Sequence, residues 1–313
     1  MRKILVTGGA GNIGGALVKK LIENKDNYVI IVDSLVTGSV HKLPFGQPIG
    51  ENWKFIKGDT NHFEDISPVM TRYGFDYVFH YAALVGVQRT LDNPIRVLED
   101  IQGIKNILNL SKNTGVKRIF FSSSSEVYGE PVEFPQNEDT TPLNSKLPYA
   151  IVKNVGEAFL KSYKKVYDLD FTIFRFFNTY GPDQSQDFVM SKFINAALRN
   201  EPITLYGDGS QSRTFCYVDD NIEATTKALY NDLFINDVVN IGSDQEMSIK
   251  ELAEKIIQLT GSTSSIIHLP ALTEGDMTRR KPDTAKMKAI LKRDLLGIDD
   301  GIKKMIDHIK LAK

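Results

Sequence analysis

The chain has 313 residues, a formal net charge of −1, and 42% apolar against 25% charged residues, which suits a globular protein of one or two domains and excludes a surface built to coat nucleic acid. It has no run of 18 apolar residues, so no membrane span is expected, and its five scattered histidines form no H-x-x-x-H pair that would mark a zinc site. A single cysteine, Cys216, excludes an intramolecular disulfide and points to a reducing, cytoplasmic compartment.

The chain opens as strand, glycine turn and helix. Residues 3–7 (KILVT) are a short apolar run rich in branched side chains, and 16–22 carry apolar residues at helical spacing. Between them Gly8, Gly11 and Gly14 stand at G-x-x-G-x-x-G spacing. The first amides of a helix are unpaired and carry a partial positive charge, which suits a pyrophosphate, and glycine lets that group approach the backbone. Gly8, Gly11, Asn12, Ile13 and Gly14 are therefore candidate dinucleotide contacts, with a ligand-free tight turn as the plain alternative. Gly14 is followed by Gly15-Ala16 rather than Lys-Ser/Thr, which excludes a triphosphate loop. The glycine cluster and Lys19-Lys20 also argue against a signal peptide over 1–18. The next strand, 28–32, ends at Asp33, which is placed to accept from a ribose hydroxyl and to repel a 2′-phosphate, favouring NAD over NADP.

A third strand over 53–56 runs into Lys57-Gly58-Asp59, where Asp59 either contacts the adenine or caps a turn. A helix over 64–73 and a strand over 77–80 follow. Small residues come next, and Ala82 would let a cofactor pass close to the backbone. A helix over 94–113 and a strand over 118–121 complete an alternation that predicts a doubly wound parallel sheet of the Rossmann type, with ligands beyond the carboxyl ends of its strands. Residues 129–148 read as a loop, 149–167 as a helix and 171–177 as a sixth strand. The strand over 215–218, a helix over 219–232 and a strand over 238–241 read as a return to the sheet. The expected division is a dinucleotide-binding domain of 1–177 plus about 215–241, and a smaller, discontinuous C-terminal substrate lobe of about 178–214 and 242–313.

The chemistry gathers at Ser122-Ser123-Ser124-Ser125-Glu126 and at Tyr149 and Lys153. Pro148 marks a helix start, and positions i and i+4 share a helix face. Free tyrosine titrates near pH ~10. An adjacent ammonium and a positive nicotinamide ring stabilise the phenolate, which can then take a proton from a substrate hydroxyl while NAD takes the hydride. Ser124 is placed to hold that hydroxyl. A surface Tyr–Lys pair is the plain alternative.

With these residues in view, the chain resembles the extended short-chain dehydrogenase/reductase family in its nucleotide-sugar epimerase/dehydratase branch. The likeness spans nearly the whole chain and rests on TGGAGNIGG (7–15), SSSSEVYG (122–129), YAIVK (149–153), FFNTYGP (176–182), LYGDGSQSRTFCYVDD (205–220) and RRKPD (279–283). It implies Ser124, Tyr149 and Lys153 as the catalytic group, with Lys153 also on the nicotinamide ribose, and Asn178, Arg213 and Arg280 on the diphosphate of a sugar nucleotide. An arginine fork suits a diphosphate, since it donates two parallel bonds. Two departures stand out. Asp100 replaces the usual asparagine, and Thr273 replaces the arginine that galactose epimerases carry before Glu274-Gly275-Asp276.

Glu126 discriminates among reactions. Nucleotide-sugar 4,6-dehydratases and UDP-glucuronate decarboxylases carry an acid here, whereas residues 84–87 and 176–220 look like epimerase members. A loop carboxylate is the plain alternative. The leading expectation is 4-epimerisation of a UDP-hexose or UDP-hexuronate through transient C4 oxidation. UDP-glucuronate decarboxylation and 4,6-dehydration follow. A non-catalytic NAD sensor and a dehydrogenase of hydrophobic alcohols rank lower. The resemblance also implies a homodimer pairing the helices over 94–113 and 149–167, for which Ile101, Ile104, Leu108, Phe159 and Val166 could equally be core. The expected partner is a nucleotide-diphosphate sugar, with no nucleic acid or membrane.

Overall fold

Strand side chains that alternate between two apolar cores set the architecture. Ile4, Val6, Val29, Ile31 and Phe120 face one core, and Leu5, Ile30, Val32, Ile119 and Phe121 the other. The computed structural model describes residues 1–45, 52–271 and 279–311. Thr273 and Glu274-Gly275-Asp276 lie outside them.

The elements are β1 Arg2–Thr7, α1 Asn12–Glu23, β2 Asn27–Asp33, β3 Trp53–Lys57, α2 Phe63–Tyr73, β4 Tyr77–His80, α3 Val87–Asp92, α4 Pro94–Thr114, β5 Arg118–Ser124, α5 Pro148–Tyr167, β6 Asp170–Phe176, β7 Thr179–Tyr180, α6 Val189–Leu198, β8 Ile203–Tyr206, β9 Ser212–Thr214, β10 Cys216–Tyr217, α7 Val218–Tyr230, β11 Asp237–Ile241, β12 Glu246–Ser248, α8 Ile249–Thr260, β13 Ile266–Leu269, α9 Ala285–Leu291 and α10 Ile298–Leu311. Seven strands form one sheet in the order β11-β6-β5-β4-β1-β2-β3, and every neighbour is parallel. Chain order reverses between β1 and β4, which opens a crevice beyond their carboxyl ends. Helices α1 and α7 cover one face, and α2, α4 and α5 the other. The first core continues into α6, α8 and α10 through Phe193, Leu252, Ile256, Ile302 and Met305. Among the described residues no helix is long and apolar enough to cross a membrane.

The doubly wound parallel sheet matches the expectation, with three differences. β10 pairs with β7 outside the main sheet, so of the segment expected to return to it only β11 does so as a strand. β5 does not stop at Phe121. Ser122, Ser123 and Ser124 extend the ladder opposite Phe174, Arg175 and Phe176, because their hydroxyls find polar partners where apolar patterning ends. Ile104 and Leu108 are core residues, Ile101 and Phe159 pack against that core, and Val166 is exposed.

Candidate active site

A cavity of about 530 Å³ lies in the crevice, and every site residue nominated from the sequence lines it. At one end the turn after β1 brings two backbones together. Gly8 has φ +70°, and a Cβ there would lie 2.7 Å from Ala82 N. At Gly11 a Cβ would meet Gly8 O at 3.1 Å and otherwise project into open space. Gly11 caps α1 with no side-chain bond, so among the described residues the opening amides, at Asn12, Ile13 and Gly14, have neither an intrahelical nor a side-chain acceptor. That cradle fits a pyrophosphate. Asp33 is buried and accepts from Ala10 N at 2.9 Å and Leu35 N at 2.8 Å. Its carboxylate is thereby oriented and retains lone pairs for a ribose hydroxyl. Asp59 caps a turn, accepting from Asn61 N at 2.9 Å, and borders the same cavity.

At the other end α5 lies along β5. Pro148 occupies its first turn, where a missing N–H costs nothing. Tyr149 is half-buried and hydrogen-bonds Ser124. One turn on, Lys153 Nζ donates to Ser122 Oγ at 3.4 Å and lies 5.0 Å from the centre of the Phe121 ring. Burial pulls Lys153 down to about 8, and Asp100 opposes this. Tyr149 runs against expectation. Burial pushes its hydroxyl well above the ordinary tyrosine value, Glu126 and Asp100 add to this, and Ser124 and Arg280 oppose it. The Lys153 ammonium sits 5.7 Å from the ring centre and bonds Ser122 rather than the phenol. The protein alone therefore favours the neutral phenol.

Glu126 and Arg280 meet each other. Arg280 Nη2 lies 2.8 Å from Glu126 Oε1, with Arg280 buried and Glu126 nearly so. Arg213 is also buried and donates to Ser212 O at 2.8 Å, and Asn178 donates to Thr214 O at 2.9 Å. Neither arginine is the solvated charge that its sequence alone would permit.

The sequence reading missed the support beneath these groups. Glu157, one turn beyond Lys153, accepts from Arg175 Nη2 at 2.7 Å and Nε at 2.9 Å, and from Ser123 Oγ at 2.6 Å. Arg175 also donates to Tyr128 OH at 2.8 Å, which donates to Asn240 Oδ1 at 2.8 Å. Burial opposes the Arg175 charge, but Glu157 outweighs it and raises its pKa. The signals were a third polar residue on the Tyr149–Lys153 face and a lone arginine within the apolar run of β6.

A doubly wound sheet, a glycine cradle with an acid at the end of β2, and Ser, Tyr and Lys across the crevice define an NAD-binding enzyme of the short-chain dehydrogenase type. The model of the NAD-dependent epimerase/dehydratase family matches residues 4–242, and the chain belongs to that family, whose members modify nucleotide sugars. It is 36% identical over 301 residues to the UDP-N-acetyl-alpha-D-glucosaminuronate decarboxylase of Bacillus cytotoxicus, covering 92% of this chain and 91% of that one. It is 35% identical over 298 residues to UDP-glucuronic acid decarboxylase 6 of Arabidopsis thaliana, covering 92% and 83%. The structure of UDP-glucose 4-epimerase from Thermotoga maritima with UDP-glucose superposes with a TM-score of 0.91 at 31% identity, covering 99% of both chains.

Arg175→Met leaves the Glu157 carboxylate buried and unpaired, and should cost about 3–5 kcal/mol. The double variant Glu157→Met with Arg175→Met should recover most of that loss. Urea unfolding of the three proteins checks both statements.

Proposed function

We propose that this enzyme oxidises C4 of a uronic acid carried on a nucleoside diphosphate and releases its C6 carboxyl as carbon dioxide. The observation behind this reading is the buried Glu126–Arg280 pair whose charges both act on Tyr149. An arginine fork serves more than one carboxylate oxygen, so a C6 carboxylate finds a partner at the reacting end. A sugar anchored at C6 resists the turnover of its ring that inversion at C4 requires. Likeness to two uronate decarboxylases supports the same choice. The resemblance assigns Arg280 to the diphosphate; the present proposal assigns it to the sugar instead, supported by its pairing with Glu126.

When bound, NAD would supply the acceptor and later donor of the C4 hydride and a positive charge in the cavity. Gly8, Gly11, Asn12, Ile13 and Gly14 would hold its pyrophosphate, Asp33 its ribose hydroxyls and Asp59 its adenine. Ala82 would let it pass, and Tyr149 and Lys153 would hold the nicotinamide ribose. Asn178 and Arg213 hold the diphosphate of the sugar nucleotide. Ser124 positions the O4 hydroxyl, and the Tyr149 phenolate takes its proton. Burial, Glu126 and Asp100 oppose that phenolate, so the incoming positive charge is what makes it accessible. The 4-keto sugar is a β-keto acid. Its C5–C6 bond breaks, carbon dioxide leaves, the electron pair remains as a C5 enolate, C5 takes a proton originating in water, and Tyr149 returns its proton to O4.

C4 inversion, first in the sequence reading, is the second reading, supported by full-length likeness to a UDP-glucose 4-epimerase. The division into residues 1–177 plus about 215–241 and residues 178–214 plus 242–313 remains part of this proposal. So does a homodimer through α4 and α5, where Ile95, Leu98, Ile151 and Val166 are exposed.

Proton NMR with NAD and UDP-glucuronate in D₂O should show loss of C6 with deuterium at C5. An inverted C4 without deuterium at C5 would establish the epimerase instead, and a C6 methyl formed from a neutral UDP- or dTDP-hexose would establish the dehydratase. Tyr149→Phe should lower kcat by roughly 10²–10⁴-fold with an unchanged far-ultraviolet dichroism spectrum; near-normal turnover would remove Tyr149 from the mechanism. Arg280→Gln should weaken UDP-glucuronate binding by roughly 10–100-fold while UDP binding stays within twofold, measured by calorimetry.

A further inference from the structure

Residues 279–283 lie outside the main sheet and are held at both ends by backbone pairing. Arg279 forms a β-bridge with Ser212 of β9. Pro282 forms one with Gln136, where Gln136 N donates to Lys281 O at 2.7 Å and Asp283 N to Gln136 O at 2.8 Å. Successive side chains of an extended segment point to opposite faces. Arg279 and Lys281 take one face, where both meet Glu246. Arg280 takes the other, toward Glu126 and the cavity.

Glu246 of β12 gathers the outer pair on one carboxylate. Arg279 Nε donates to Glu246 Oε1 at 2.5 Å, and its Nη2 to Oε2 at 2.7 Å. Lys281 Nζ lies 3.3 Å from Oε2, and Ser212 Oγ donates to Oε1 at 3.4 Å. The ring of Phe134 backs the Arg279 guanidinium, 4.3 Å from the ring centre. β12 is a fixed base for this clamp, because it pairs with β9 and its last residue, Ser248, caps α8 in a capping box with Glu251. The side chains of Arg279 and Lys281 are 44% and 33% exposed, and ion pairs so open to solvent add little stability. The clamp instead sets direction. A carboxylate shared by positions 279 and 281 leaves position 280 only the inner face. We propose that Glu246 is a positioning residue that, by clamping Arg279 and Lys281, holds Arg280 at the reacting end of the cavity opposite Glu126. The clamp needs no substrate, whereas its service to a C6 carboxylate rests on the uronate reading above.

The test uses the NAD-loaded full chain with Glu246→Gln and, as a break from the other side of the clamp, Arg279→Gln. Site-resolved mass spectrometry after phenylglyoxal treatment reads the exposure of Arg280, with Arg213 as internal control. Labelling of Arg280 should rise several-fold in both variants while that of Arg213 stays the same. By calorimetry, Glu246→Gln should weaken UDP-glucuronate binding about 10-fold and leave UDP binding unchanged. In an Arg280→Gln background the same substitution should have no further effect, which a general loosening of the fold would not reproduce. Unmoved labelling at Arg280, an equal rise at Arg213, a loss of affinity that persists without Arg280, or failure of both variants to fold would overturn the proposal. If Arg280 labelling rises while UDP-glucuronate affinity holds, Glu246 still positions Arg280, and the uronate reading of Arg280 falls instead.

Discussion

The pair between Glu157 and Arg175, each with a side chain about 2% exposed, governs how α5 sits on the sheet. A buried charge without its counter-charge costs several kcal/mol, so helix and strand have few relative placements open to them. Ser123 reaches the same carboxylate from β5, and Tyr128 carries the network on to Asn240 of β11. Three adjacent strands and one helix are thus joined at one point. Lys153 and Tyr149 occupy the same helix face one and two turns earlier, so these two side chains inherit a placement set outside the cavity. The arrangement favours specificity of packing over raw stability, because two apolar residues could fill the same space at similar free energy.

Much of the fold was legible in the sequence because its signals are local. Residues 4–6, 28–32 and 119–121 are apolar on successive positions, as strands covered on both faces must be. The glycine turn is legible because Gly8 needs a positive φ and a close neighbour, Ala82. The hidden part depended on pairing between distant segments. Nothing within 215–218 tells that β10 joins β7 and leaves the main sheet to β11. The end of β5 was missed because hydropathy ceases at Phe121 while the ladder continues with β6.

The site was legible as a set of residues but not as a set of interactions. Each nominated side chain lines one cavity, yet the pairing of Glu126 with Arg280 joins positions more than 150 residues apart, and no spacing rule announces it. The electrostatics of Tyr149 were misjudged for a related reason. Sequence shows that Lys153 is close, but not that burial, Glu126 and Asp100 together outweigh the opposing pull of Ser124 and Arg280. Desolvation is a property of the assembled cavity, and its sign depends on depth rather than on neighbours along a helix.

The contacts Tyr149–Ser124 and Lys153–Ser122 behave as a vernier between two rulers. Four residues of helix advance about 6.0 Å, and two residues of strand about 6.6 Å. The two scales agree for one step and drift apart with each further one, so antiparallel rungs can be held at two levels and not at many. The four-residue gap between tyrosine and lysine is thereby the imprint of a two-residue gap in the strand, and a single insertion in either element would uncouple them. Loops carry no such gauge. Glu126 and Arg280 stand outside the graduated region, where residues can be exchanged without disturbing the rungs. Residues outside that region can therefore differ between relatives while the Tyr149–Lys153 spacing keeps its dimensions.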